Sequence, residues 1–347
     1  MSILQKHMGM HSAERSISSQ VITRLLAVIV IYRMQPLASS TLQTLFASVK
    51  NTSPDNLDLK ILVWDNTPGG QDIGELPSGI LYESAPHNPG LAQAYNQALE
   101  QAEAEGYEWL LTLDQDSCLP VDFLAKIADF ARKLGPDKTI GAIVPQVIAD
   151  GRIVSPFRFV FGVPRWFGSG FVGTSKRAAY AANSGSTLRV CALREMGGYD
   201  PMFPLDLSDT NLFHRLHDSG KSVFIAGDVL VHHDFALLNK PARMSIERYK
   251  ESLLDDGAFW DIYMGPVARF ERIIRFAGRA CKDLYFSKES GFWKATLSEL
   301  KRRLFTPRQR RIAEWRKWAM LRCSNSVQAP GAQSIVLRQG QQNYPQS

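Results

Sequence analysis

Cysteine is scarce in this chain of 347 residues. The four present, Cys118, Cys191, Cys281 and Cys323, are scattered and form no Cys-x-x-Cys pair. That excludes a disulfide framework and a zinc-ribbon pattern, and it fits a reducing compartment. Long apolar runs are absent as well. Leu25 to Tyr32 is the longest near the start, and crossing a bilayer takes about 20 apolar residues. Arg24 and Arg33 flank this run, and no signal-peptide cleavage pattern follows it. A cytoplasmic location is therefore expected. Internal repeats are missing too.

What is present is ordinary for a globular protein: 45% hydrophobic and 21% charged residues. The formal net charge is +6, which favours acidic partners such as nucleotide phosphates or anionic headgroups. Residues 1–20 are polar and unpatterned and read as a flexible tail. The stretch Leu25–Tyr32 is apolar on both faces, as a strand in a parallel sheet must be. A helical spacing over residues 36–50 follows, then strands at Leu59–Trp64 and Ile80–Glu83. A helix is expected from Leu91 to Glu103, ended by Gly106, and then a strand at Trp109–Leu113. This βαβ series predicts a mostly parallel, Rossmann-like α/β sheet flanked by helices.

Beyond it, the pattern predicts a helix at 123–134, strands at 140–144, 187–190, 222–226 and 229–231, and a helix at 209–217. Residues 150–185 lack simple periodicity. From about residue 241 the chain turns helical and basic. Phe270, Ile273, Ile274, Ala277, Cys281 and Leu284 form one stripe, with Arg269, Arg272, Arg275, Arg279 and Lys282 around it. Two readings follow for this extension. It either lies on an anionic membrane, on the inner face of the cell membrane, or packs on the sheet or on a second subunit. Residues 323–347 read as a disordered tail.

The chemistry centres on Asp114-Gln115-Asp116 at the end of the Trp109–Leu113 strand. Two carboxylates one residue apart repel each other, and a hard divalent cation, shared with phosphate oxygens, offsets that. Open α/β sheets bind ligands at the carboxyl ends of their strands. Asp65 closes an earlier strand and could accept a hydrogen bond from a base imide; a turn aspartate is the plainer reading. Asn88-Pro89-Gly90 precedes a helix whose N-terminus could face phosphates, or could simply be capped. Asp209 opens a helix as a cap or as a general base. His232 and His233 follow a strand, where a histidine beside a carboxylate pair is a plausible metal ligand.

In this order the stretches VIVIY at 28–32, VWDNTP at 63–68, HNPGLAQAYNQAL at 87–99, LLTLDQDS at 110–117, NSGSTLR at 183–189, GGYDPMFPLDLSDTNLFHRLHDSG at 197–220 and HHDF at 232–235 resemble family 2 glycosyltransferases of the inverting GT-A fold, within them the bacterial rhamnosyltransferase-like group. The resemblance covers residues 22–240. It implies a GT-A catalytic domain over 21–240, with a nucleotide-sugar half at 21–117 and an acceptor half at 118–240. A basic helical region would follow at 241–322.

The resemblance also implies roles. Asp65 would hold the base, with Tyr32, Asn66, Asn88, Gly90, Ala94 and Gln115 lining the donor pocket. Asp114 would contact ribose or sugar. Asp116 and His233, with His232 as the alternative register, would bind Mg2+ or Mn2+. Asp209 would be the base. The donor would be a UDP- or dTDP-linked sugar, with rhamnose a candidate, and the acceptor a glycan or lipid-linked hydroxyl in cell-surface polysaccharide assembly.

Two departures stand out. Asn211 occupies the place of an expected acidic residue, so Asp206 stays a rival base. Arg248-Tyr249-Lys250-Glu251 lacks the Arg-Asn pair that follows a tyrosine in related rhamnosyltransferases. Two other classes compete. A nucleotidyltransferase would need a triphosphate-binding loop where Arg33-Met34-Gln35-Pro36 stands. A nucleic-acid binder would leave Asp114 and Asp116 without a task, and its partner is not expected.

Overall fold

The computed structural model describes residues 22–233, 244–286, 288 and 291–328. The expected tails, residues 1–20 and 329–347, and Asp234 of the HHDF stretch lie outside them.

Strand β1 (Thr23–Ile31) lies inside the sheet, between β2 and β4. Its alternate residues serve two cores. Leu26, Val28 and Val30 face one, while Leu25, Ala27, Ile29 and Ile31 face the other. Both faces are buried, which is why the run is apolar without alternation. Helix α1 (Ser40–Lys50), strands β2 (Leu57–Asp65) and β3 (Ile80–Ser84), helix α2 (Leu91–Ala104) and strand β4 (Trp109–Asp114) complete the first half. Strand β5 (Ser117–Cys118), helix α3 (Phe123–Leu134) and strand β6 (Ile140–Ala149) follow. Helices α1 and α3 cover the face that holds Leu42, Leu45, Phe123 and Ile127. Helix α2 covers the other.

Residues 150–185 are not structureless, contrary to the reading from periodicity. They form β7 (Arg152–Ser155), β8 (Phe157–Val160), β9 (Val163–Trp166) and β10 (Val172–Ser175). Strands of four residues are too short to show a period, so the sequence pattern could not find them. After them come β11 (Ser186–Arg189), α4 (Val190–Glu195), α5 (Ser208–Asp218) and β12 (Ser222–His233). Strand order is β10-β12-β6-β11-β4-β1-β2-β3, with β5 on β12 and β7 on β6; β8 and β9 pair separately. The long ladders, β3-β2-β1-β4 and β6-β12, are parallel as expected, and short antiparallel pairings complete the sheet. β11 runs antiparallel between β4 and β6, and β10, β5 and β7 are antiparallel to their neighbours.

The helical extension comprises α6 (Ile246–Tyr263), α7 (Pro266–Phe286), α8 (Phe292–Phe305) and α9 (Arg308–Gln328). Helix α9 runs past residue 323, where a disordered tail was expected. Ala258, Phe259 and Trp260 of α6, with Trp315 and Ala319 of α9, join the core under α2 and α5. The extension thus packs on the α/β unit.

Its interior is ionic. Asp255, Asp256 and Asp261 line the buried side of α6. Arg272 of α7 pairs with Asp256. Arg311 makes a bidentate pair with Asp261 at 2.8 and 2.9 Å, and Arg303 joins it at 3.3 Å. Arg322 forks onto Asp255 at 3.1 Å, which also accepts from the Trp315 indole at 2.9 Å. Several arginines that sequence composition assigns to a solvent or lipid face therefore point inward.

Removing one member of such a buried set leaves the others unpaired, at a cost of about 3–5 kcal/mol. Asp261→Ala should lose that much in urea unfolding. Glu314→Ala, which breaks an exposed pair with Arg310, should change stability by less than about 1 kcal/mol. Equal losses would show that the inward arginines carry no special weight.

Candidate active site

Strands β3, β2, β1 and β4 are all parallel, and their order reverses between β1 and β4, where open α/β sheets form their crevice. Residue pairing then sets the rim. Ile31 lies beside Asp65 on β2, and Val30 beside Asp114 on β4.

The Asp114-Gln115-Asp116 turn is fastened from below by the start of α1. Thr41 Oγ1 donates to the Asp114 carbonyl at 2.5 Å and accepts from Ser117 N–H at 2.8 Å. Ser39 Oγ donates to the Gln115 carbonyl at 2.7 Å and caps α1 by accepting from Leu42 N–H. Gln115 Oε1 accepts from Tyr32 N–H at 2.7 Å. These bonds fix the turn without touching either carboxylate.

Asp114 itself is held by hydroxyls. Tyr95 of α2 donates to Oδ1 at 3.2 Å, and Ser184 donates to Oδ2 at 2.6 Å. Burial, then the charge of Asp114, pushes the Tyr95 phenol well above its ordinary range, so it stays a donor. The Tyr95 and Tyr199 rings lie 5.0 Å apart. Tyr199 OH donates to Asn183 at 2.9 Å.

β5 brings the far strand in. Its antiparallel pairing with β12 sets His233 opposite Ser117 and His232 opposite Cys118. Successive strand residues face opposite sides. His233 therefore turns to the crevice: its Nδ1 is 2.9 Å from Ser117 Oγ, 3.4 Å from Ser184 Oγ and 3.6 Å from Asp116 Oδ1. His232 is exposed on the other side. Among the described residues, no three His, Cys, Asp or Glu side chains form a ready cage for a cation. A hard cation shared with a diphosphate needs only one or two protein ligands, and the half-exposed Asp116 beside His233 meets that need.

Asp209 stands in the first turn of α5. Burial raises its pKa to about 6, aided by the charges of Asp114 and Asp206 and opposed by hydrogen bonds from Thr210. The residue before the helix, Leu207, has φ +60 and ψ 8 and serves as N-cap without a capping side chain. Three of the non-glycine residues with positive φ, Arg33, Asn88 and Leu207, lie at the ends of elements around this crevice. Backbone strain of this kind gathers at functional sites. Asp206 is ion-paired with Arg248 of α6.

Several sequence candidates sit elsewhere than at an open surface. Asp65 is fully buried, and its carboxylate accepts from Thr67 N–H at 2.8 Å, Gln71 Nε2 at 2.8 Å and Tyr82 OH at 2.6 Å. An incoming base reaches it only by displacing one of these donors. Asn66 is buried and accepts from the Trp64 indole at 2.8 Å. Ala94 lies in the core with no exposed surface. Gly90 has φ +89, and a Cβ there would stand 2.5 Å from the Pro204 carbonyl oxygen. That carbonyl accepts from Leu91 and Ala92 N–H at 2.6 and 3.2 Å. The close approach that Gly90 permits is therefore to the Pro204 backbone, which caps α2. The resemblance and the spacing missed Ser39, Thr41, Gln71, Tyr82, Tyr95, Ser117 and Ser184. Only Ser39, with its N-cap position, carried a local signal.

Residues 27–187 match the family model described as Glycosyl transferase family 2. No curated protein is significantly similar in sequence. Among solved structures, the chain resembles S. aureus TarS 1-349 at 13% identity and TM-score 0.47, over 88% of this chain and 89% of that one. It also resembles GalNAc-T7, solved with UDP, GalNAc and Mn2+, at 15% identity and TM-score 0.45. That match covers 62% of this chain and 43% of the other, so the chain spans less than half of GalNAc-T7 as solved.

A carboxyl whose folded pKa is raised favours the folded state when protonated. Its contribution is full below the unfolded value and lost as pH rises through about 6. Asp209→Asn should therefore raise the melting temperature of the protein at about pH 8 and leave it nearly unchanged near pH 4. The same shift at both values would separate the effect from the ionisation of Asp209.

Proposed function

We propose that this protein, whose residues 27–187 match the glycosyl transferase family 2 model, is an inverting glycosyltransferase that moves a sugar from a nucleoside-diphosphate donor to an acceptor hydroxyl. One observation carries the reading: β4, β5, α5 and β12 bring Asp114, Asp116, Asp209 and His233 together at the carboxyl edge of the sheet. Each residue then has a separate task.

Asp116 and His233 would hold Mg2+ or Mn2+, whose charge, when bound, stabilises a departing diphosphate. Asp114 faces the donor sugar or ribose, oriented by Tyr95 and Ser184. Asp209 accepts the proton of the acceptor hydroxyl. A pKa near 6 suits that task at neutral pH, because the group is ionised yet basic. The oxygen so freed attacks the anomeric carbon from the face opposite the diphosphate, and a single displacement inverts that centre. Asp206, paired with Arg248, positions the loop before α5 instead of moving a proton. The exposed Tyr32 ring at the end of β1 offers a face to the base. Asp65 can reach a pyrimidine imide once Gln71 withdraws. UDP- and dTDP-sugars are thus the donors to test, with a glycan or lipid-linked hydroxyl as acceptor. Rhamnose is one candidate sugar, and cell-surface polysaccharide assembly is the setting in which such a transfer belongs.

The following measurements check the reading. Mn2+ with a UDP- or dTDP-sugar should raise the melting temperature, because ligands that bind the native state stabilise it. Transfer or donor hydrolysis should vanish with EDTA and fall in Asp116→Ala; activity that survives both would remove the metal from the mechanism. Asp209→Asn should keep the donor-induced shift and lose about 10²–10⁴ in rate, and the parent should show an acid limb in kcat/KM near pH 6. Gln71→Ala should bind uridine diphosphate more tightly than the parent does. Unchanged affinity would make Asp65 a purely structural residue.

A further inference from the structure

Helix α7 is inside out. Its buried side carries Arg272, Phe276 and Ala280, with Arg272 paired to Asp256. Its outer side carries Val267, Phe270, Ile274, Gly278, Cys281 and Tyr285, all exposed. The spacing of these six, in steps of three or four, puts them on one face. Phe270 is 65%, Ile274 57% and Tyr285 82% exposed. Charged residues of the helix flank this stripe or lie behind it. At one end the stripe meets the β8–β9 hairpin. There Phe161, itself exposed, and Gly162 form an apolar groove with Met264 and residues 265–268. An outer face free of charge over most of a 21-residue helix is unusual on a protein surface and marks an interaction site.

The surrounding charge selects the occupant. Among the described residues from 266 to 322, the exposed cations are Lys282, Lys288, Lys294, Lys301, Arg308, Arg310, Arg316 and Lys317, while Glu314 is the one exposed acid. A second copy would bring two basic extensions together. An anionic bilayer complements both features: its headgroups match the lysines and arginines, and its acyl boundary takes the phenylalanines and isoleucine. No helix among the described residues is long and apolar enough to cross a membrane, so the contact would lie in the surface plane.

We propose that the outer face of α7, continued by Phe161, seats this protein on an anionic lipid surface. The proposal stands apart from the transferase reading, because binding is measured without turnover. The full-length chain should co-sediment with mixed phosphatidylglycerol–phosphatidylcholine vesicles and not with pure phosphatidylcholine vesicles. Added salt should weaken the binding. Phe270→Ser with Ile274→Ser should weaken it about tenfold or more while leaving the melting temperature unchanged, since both side chains are solvent-exposed. Lys301→Glu with Arg310→Glu should weaken it as well. Failure to bind anionic vesicles, or equal binding by the serine variant, overturns the proposal. So does a parent that sediments as a dimer and turns monomeric on Ile274→Ser, which would assign the face to a second copy.

Discussion

Hydroxyl groups hold the crevice carboxylates, and the rest of the site depends on that choice of donor. Tyr95 and Ser184 bond to Asp114, Tyr82 bonds to Asp65, and Thr210 bonds to Asp209. A neutral donor satisfies a carboxylate oxygen without cancelling its charge. The crevice therefore keeps a concentrated negative potential. In the helical extension the same problem has the opposite solution. Asp255, Asp256 and Asp261 are each met by guanidinium groups, and their charge is spent inside the fold. Asp206 belongs to the second kind, although it lies only three residues before Asp209.

The extension also reaches the site. Arg322 donates to the Met202 carbonyl at 3.0 Å, Arg248 pairs with Asp206, and the Phe203 and Trp315 rings lie 4.9 Å apart. The loop between Tyr199 and Leu207 is thus clamped between α2 and the C-terminal helices. Its Pro204 carbonyl caps α2 on one side, and its Leu207 launches α5 on the other. The helical region is thus packed against the loop that leads into α5.

The alternating elements of the first half were legible because their signals are local. The apolar run of β1, the alanine-rich α2 and the strand before Asp114 each follow from period and composition. The hydroxyls around Asp114 were not legible. Ser184 lies 70 residues from Asp114 and Thr41 lies 73 away. A serine or threonine has no spacing that announces such a partner. The arginines of α7 and α9 misled for a related reason: composition assigns charge to solvent, and only the buried aspartates of α6 reverse that.

The sequence by itself determined the α/β character, the position of the crevice carboxylates at strand ends, and the candidate base at the start of a helix. These follow from apolar periodicity, from turn and cap residues, and from the chemistry of paired acids. Tertiary structure set the surroundings of the candidates. Strand pairing turns His233, and not His232, toward Asp116, because neighbours on a strand face opposite ways and β5 fixes the register. An ion pair from a distant helix set Asp206 apart from Asp209. A carbonyl from Pro204 filled the space that Gly90 leaves open. In each case the deciding partner lies far away in sequence, and its effect is one of distance, burial and charge that only the folded chain creates.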